Sequence, residues 1–136
     1  MEVAEARSRF AAARVARLAT VAGDGMPHLV PVTFALHGDT VAIAVDHKPK
    51  RTTELRRLRN IEADPRVSLL ADHYDEDWDR LWWVRADGRA RVVRVPAGEP
   101  VGWLVAKYPR YADDPPAGPV ILVEVTRWRG WSAAAG

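Results

Sequence analysis

The chain predicts a mainly β fold of the α+β class: a small closed or split barrel of about six antiparallel strands with about three short helices. Three observations carry this expectation. Short runs rich in Val, Ile and Ala are separated by strong turn signals, Gly23-Asp24-Gly25 and His37-Gly38-Asp39. The links between these runs are too short for the crossover that parallel strands require. A long stretch from Arg80 to Val95 alternates small or apolar residues with charged ones, as a half-buried strand does. With so many strands and an uncovered edge, closing or splitting a barrel hides the unpaired backbone. The 136 residues suit a single domain over residues 1–136, and no internal repeat interrupts them.

Residues 2–14 open the chain with Val3, Ala6, Phe10 and Ala13 at helical spacing, which predicts an amphipathic helix packed on the body of the domain. Strands are expected over Val15–Ala22, His28–Leu36 and Thr40–Asp46. Pro31 lies inside the second of these. It has no N–H for a ladder, so that strand belongs at an edge, at a bulge, or against a ligand. The basic loop His47-Lys48-Pro49-Lys50-Arg51 follows, and Thr52-Thr53 opens a helix that runs to about Ala63. Leu55, Leu58 and Ile61 form its buried stripe, with Arg56, Arg57 and Arg59 facing away. Asp64-Pro65 stops it, because a residue before proline disfavours the α region.

A fourth strand is expected over Val67–Tyr74, then an acidic loop, Asp75–Asp79. Within Arg80–Val95, Asp87-Gly88 alone would suggest a hairpin turn. Such a turn would set Val84 opposite Arg91 and Arg85 opposite Ala90, mixing the two faces. One continuous strand instead keeps Trp82, Val84, Ala86, Gly88, Ala90 and Val92 together. A short helix over Pro100–Tyr108, a loop over Asp113–Pro116 and a last strand over Val120–Trp131 complete the expectation.

Composition excludes several function classes. No apolar run approaches the roughly 18 residues of a membrane-spanning helix. The first ten residues carry acids where a secretion signal has a basic region. There is no cysteine, so no disulfide scaffold, thiolate metal site or cysteine nucleophile exists. A cytoplasmic protein without a membrane partner is expected. The net charge of +2 gives little bulk attraction to nucleic acid. Arg85, Arg89 and Arg91 do share one face of the long strand, with Trp82 and Trp83 as stacking platforms, but the acidic loop before them would repel a phosphate backbone. No nucleic-acid partner is expected. Six tryptophans in this length are unusual, and Trp78, Trp82 and Trp83 cluster as interface tryptophans do.

The most informative local signal is Lys48-x-Lys50-Arg51-Thr52-Thr53 directly before a helix. Unpaired N–H groups and the partial positive charge of a helix start attract anions, and the added cations and hydroxyls strengthen a phosphate site. The same residues also suit a solvated basic loop with a threonine N-cap. Asp75, Asp77 and Asp79 imitate the start of a calcium loop, yet Arg80 stands where the turn glycine belongs and Ala86 where the bidentate glutamate belongs. His28, His37, His47 and His73 lack zinc-ligand spacing, so no metal is expected. His73 beside Asp72 would face the opposite way on a strand. There is no glycine-rich phosphate loop and no nucleophile elbow. No catalytic residue set emerges, and an enzyme of this composition would rely on a bound cofactor.

Taken in order, Gly25-x-Pro27-His28-x-x-Pro31-Val32-x-Phe34, then Lys48-x-Lys50-Arg51, then Asp64-Pro65-Arg66-Val67 resemble the pyridoxamine-phosphate-oxidase-like split β-barrel proteins. The stretch from His73 to Val92, with Trp82-Trp83-x-Arg85-x-x-Gly88-x-Ala90, is similar to the small actinobacterial branch of F420-dependent oxidoreductases in that class. The resemblance extends from about residue 8 to residue 131. It implies a homodimer that holds a deazaflavin or flavin between subunits. His28, Leu29, Val30, Pro31, Val32 and Thr33 would pass under the ring, with Ala44 and Val45 beside it. Lys48, Lys50 and Arg51 would hold the phosphate, and Leu81, Trp82 and Trp83 would come from the other subunit. The implied activity is hydride transfer from reduced coenzyme F420 to an electron-poor double bond of a small organic substrate. The alternatives are FMN as cofactor, or a non-enzymatic flavin or tetrapyrrole carrier. F420 carries an acidic tail, which Arg56, Arg57 or Arg59 could meet; those arginines also suit a plain solvated helix face.

Overall fold

The two edges of the sheet are consecutive pieces of chain, and this determines the architecture. The computed structural model describes residues 1–45, 52–94 and 98–135. Among them, helix α1 covers Val3–Ala12, followed by strands β1 (Ala16–Val21), β2 (Pro27–Val32), β3 (Phe34–His37) and β4 (Thr40–Ala44). Helix α2 (Thr52–Ala63), β5 (Arg66–His73), β6 (Trp82–Val93), helices α3 (Gly98–Lys107) and α4 (Pro109–Asp113) and β7 (Val120–Ser132) complete the chain. All pairings are antiparallel, in the order β2-β1-β5-β6-β7-β4-β3. Strands β2 and β3 sit at opposite edges with only Thr33 between them. A sheet whose edges are joined by one residue must curl until they approach, and the result is a split half-barrel.

The second predicted strand is therefore two strands. Running His28 to Leu36 as one ladder would require both halves to pair with the same neighbour, whereas β2 pairs with β1 and β3 pairs with β4. Pro31 lies opposite Arg17 on the edge strand, where a missing N–H is tolerated. The long strand β6 is continuous, as the alternation demands. Its inward residues Val84, Ala86 and Ala90 are buried while Arg89 and Arg91 are exposed. Two further differences are local: Val3 is half exposed rather than packed, and a separate turn of helix, α4, follows Pro109.

The main core fills the concave side. Ala6 and Phe10 of α1 and Leu58 and Ile61 of α2 close on Leu18, Leu69, Val84, Phe34, Ile43 and Val123. Phe10 meets Phe34 at 4.6 Å and the edge of Trp128 at 5.4 Å between centroids. On the other face, α3 packs Leu104 over Ala35, Ala42, Val120 and Leu122. Burial on both faces explains why β7 begins with four consecutive apolar residues, Val120 to Val123. The Lys48–Arg51 loop lies outside the described residues.

Among the glycines of the sheet, Gly88 leaves the least room for a side chain. The register of β6 on β7 slips between Asp87 and Gly88, so Thr126 is the extra residue of a bulge. A Cβ on Gly88 would fall on the Glu124 carbonyl oxygen, which is backbone and cannot swing away. Gly88→Ala is therefore expected to lower unfolding free energy by about 1–3 kcal/mol in urea titration, whereas Gly23→Ala, with nothing near its side-chain position, should cost far less.

Candidate functional site

Where the sheet edges meet at Thr33, the surface opens into a cleft of about 420 Å³. Its floor is Pro31, Val32 and Thr33 at the end of β2, with Ala44 and Val45 at the end of β4. These are five of the sequence-predicted site residues, brought together from two strands. The far wall was not anticipated: Arg57 from α2, and Tyr108, Arg110, Tyr111, Asp114 and Pro116 from the α3–α4 segment. Arg57 does not face away from the core side as its helical position suggested. It is 9% exposed and turns into the cleft, because the curled sheet wraps that flank of α2. The only sequence hint of the wall was Tyr108-Pro109-Arg110-Tyr111, two of the chain's three tyrosines one helical turn apart.

Both tyrosines attach this wall to the joint. The Tyr108 hydroxyl accepts from the Phe34 N–H at 3.1 Å and can donate to the Phe34 carbonyl at 3.0 Å or the Arg14 carbonyl at 2.9 Å. Burial pushes its ionisation above the ordinary tyrosine value. The Tyr111 hydroxyl lies 2.7 Å from Thr33 Oγ1, and the two rings meet edge to face at 5.4 Å. Behind them Lys107 donates to the Ala13 carbonyl at 2.7 Å and sits 3.8 Å above the Phe34 ring. Burial, aided by the nearby Arg14 charge, depresses that ammonium to about 8.

The other predicted residues separate into distinct neighbourhoods. His28 lines a second cleft of about 350 Å³ with Arg56, Arg59 and Asn60 of α2 and the Ala22–Pro27 turn, Asp24 included. Its Nδ1 is shielded and has no hydrogen-bond partner among the described residues. Burial, then the Arg56 and Arg57 charges, lower its affinity for a proton, so the ring is neutral at pH 7. Asn60 itself is buried and donates to Thr20 Oγ1 at 3.0 Å. Val30 packs on the core, and Leu29 is 67% exposed on the outer face of the sheet. Leu81, Trp82 and Trp83 do not reach the Thr33 cleft within one chain. Three strand spacings, about 14 Å, separate β6 from β2. They border a third cleft of about 540 Å³ with Leu70, Asp72, His73, Tyr74, Arg85 and Trp131. Trp83 lies opposite Trp131 on the outer face, while the Trp82 ring packs towards the core under Arg9. His73 meets Asp75 at 3.6 Å, not its sequence neighbour Asp72, which pairs with Arg17.

Comparison with known proteins agrees with this fold. The family description of pyridoxamine 5'-phosphate oxidase matches residues 3–132. The chain belongs to that family. Among solved structures, a conserved hypothetical protein of Mycobacterium tuberculosis superposes with a TM-score of 0.76 at 23% identity, covering 98% of this chain and 86% of that one. An FAD-binding protein of Mycobacterium smegmatis gives 0.66 at 20% identity, over 96% and 95% of the two chains. The heme storage protein HutZ of Vibrio cholerae gives 0.69 at 15% identity, over 96% and 91%. At these identities the likeness establishes the split-barrel fold. A curated relative, L-cysteine:1D-myo-inositol 2-amino-2-deoxy-alpha-D-glucopyranoside ligase of Thermomonospora curvata, is 37% identical over 84 residues. That match covers 53% of this chain and only 20% of the ligase.

The depressed Lys107 ammonium has a consequence for stability. The folded protein releases this proton near pH 8, whereas the unfolded lysine keeps it to about 10.5. Between those values the unfolded state binds more protons, so stability rises with pH. Urea midpoints measured from pH 7.5 to 9.5 are expected to increase, and Lys107→Met should flatten the rise.

Proposed function

We propose that this protein is an F420-dependent oxidoreductase that passes a hydride to an electron-poor double bond of a small organic substrate in the Thr33 cleft. The observation that carries this reading is the continuity of α2 along two clefts. Arg57 lines the apolar-floored one, and Arg56 and Arg59 line the cationic one beside His28. A flat ring system suits the Pro31–Thr33 and Ala44–Val45 floor, and an acidic extension suits the Arg56–Arg59 side. The shielded Nδ1 of His28, without a partner among the described residues, is a polar group in the second cleft that a ligand could satisfy. Lys48, Lys50 and Arg51 are proposed to hold the phosphate.

Bound in this way, reduced F420 supplies the hydride. The chain's own residues do the rest: the strand ends support the ring, Tyr108 keeps the wall closed against water, and Arg57 balances negative charge beside the floor. FMN is the competing cofactor, since it shares the ring and phosphate but ends before the Arg56–Arg59 cleft.

The same reading requires a homodimer. Leu29, Leu70, Tyr74, Trp78 and Trp131 are all exposed, and most lie on or beside the outer face of the sheet. An apolar surface of this kind is normally covered by a partner. A second copy would bring its Leu81, Trp82 and Trp83 to the cleft from which one chain withholds them.

Two measurements test the proposal. Tryptophan-fluorescence titration should give micromolar or tighter F420 binding with FMN weaker, and the paired change Arg56→Gln, Arg59→Gln should weaken F420 about tenfold while sparing FMN. Equal binding of both cofactors in the parent protein would move the assignment to FMN. Light scattering should find twice the 15.1 kDa chain mass, and Leu70→Arg should return it to one chain.

A further inference from the structure

Reducing a polarised double bond needs a proton as well as a hydride, and among the described residues the wall of the Thr33 cleft offers few sources. Arg57 and Arg110 carry guanidinium groups, which do not serve as proton donors. Asp114 lies at the exposed rim. Tyr108 is engaged: its oxygen receives the Phe34 N–H, and its own proton has two backbone carbonyls within reach. The Tyr111 hydroxyl differs. Its contact is the Thr33 hydroxyl at 2.7 Å, in a part-buried position on the cleft wall. A hydroxyl has one proton and two lone pairs, and a pair of hydroxyls shares only one bond. When Thr33 donates, the Tyr111 proton is left to point into the cleft.

We infer that Tyr111, oriented by Thr33, is the proton donor to the substrate. The inference rests on the oxidoreductase reading above. The substrate gains a hydride at one carbon of its double bond from the two-electron donor, reduced F420, which is oxidised in the step. The negative charge that develops at the conjugated end of the substrate takes the Tyr111 proton: the tyrosine O–H bond breaks and a substrate O–H or C–H bond forms. The phenolate recovers its proton from water through the open side of the cleft. Tyr111 sits where the wall meets the floor at Thr33, so its hydroxyl would meet the edge of a substrate lying over the ring. The pair also explains why Thr33 is the residue at the joint. A valine there would keep the shape and lose the hydroxyl that turns the tyrosine inwards.

The test begins with cofactor-free protein, titrated with 4-nitrophenol at a pH where that probe is ionised, and with 4-nitroanisole. The two share a ring, and only the first carries a negative oxygen. The parent protein should prefer the phenolate by tenfold or more, and Tyr111→Phe should remove about a tenfold factor of that preference. In the F420-loaded protein acting on a cyclic enone, Tyr111→Phe should lower kcat about a hundredfold with KM within about twofold. It should also erase the solvent deuterium isotope effect, and Thr33→Val should fall between. The Phe variant keeps the ring that packs on Tyr108, so folding is preserved. No preference for the phenolate in the parent, or an unchanged preference and rate in Tyr111→Phe, overturns the assignment. Failure of the parent to bind F420 would instead overturn the cofactor reading, and the nitrophenol comparison would still decide the role of Tyr111.

Discussion

The rest of the molecule depends on the joint at Thr33. Strands β2 and β3 are adjacent in the chain and stand at opposite ends of the sheet order, so the sheet must bend until those ends nearly touch. Such a seam leaves unpaired backbone on both sides, and an open seam would admit water to the core. Tyr108 closes it by accepting from the Phe34 N–H and lying within reach of two carbonyls with its own proton. Each such bond is worth about 1 kcal/mol net, and more is lost when a buried partner is left without one. Lys107 reinforces the closure by reaching the Ala13 carbonyl across the Phe34 ring. A cleft at this place is a by-product of the topology, because a seam is where the two layers cannot interdigitate.

The two sides of the sheet are treated differently. The concave side is filled by α1 and α2 and contains the large fully buried residues Phe10, Leu18, Phe34, Ile43 and Leu69. The convex side is covered by α3 only over β3, β4 and β7. Over β1, β5 and β6 it remains open, with Leu29, Leu70, Trp83 and Trp131 among paired charges such as Arg85–Asp87 and Arg17–Asp72. Apolar side chains interleaved with pre-paired charges make a surface that can be buried without stranding an ion.

Charge is distributed with similar economy. Arg7 meets Asp39, Arg66 meets Asp64, Arg85 meets Asp87 and Arg94 meets Glu62, so several acidic side chains are already engaged. The small net charge of the chain therefore conceals a local excess of cations along α2, where Arg56 and Arg59 stand beside a neutral His28. Local excess, not total charge, is what an anionic ligand senses at short range.

Periodicity and punctuation alone determined most of the elements. Alternation in Trp82–Val93 outweighed the Asp87-Gly88 turn signal, because a hairpin would have mixed the faces. Pro31 announced an edge strand, a bulge or a ligand contact, because proline cannot complete a ladder, and β2 is an edge strand. The break at Thr33 carried no such mark, since threonine is a good strand residue and the interruption arises from pairing with two distant partners. The floor residues Pro31, Val32, Thr33, Ala44 and Val45 were legible through their resemblance to a family pattern, as contiguous strand ends. The wall was not: Tyr108 and Tyr111 are 75 or more positions from Thr33, and nothing local to them points across the seam. Arg57 likewise read as a solvated helix residue until the sheet wrapped its flank. The sequence by itself thus determined which segments are strands and helices, because those follow from short-range patterns of burial and hydrogen bonding. Only the tertiary structure decided which side chains share a cleft, because that depends on which edges of the sheet the chain brings together.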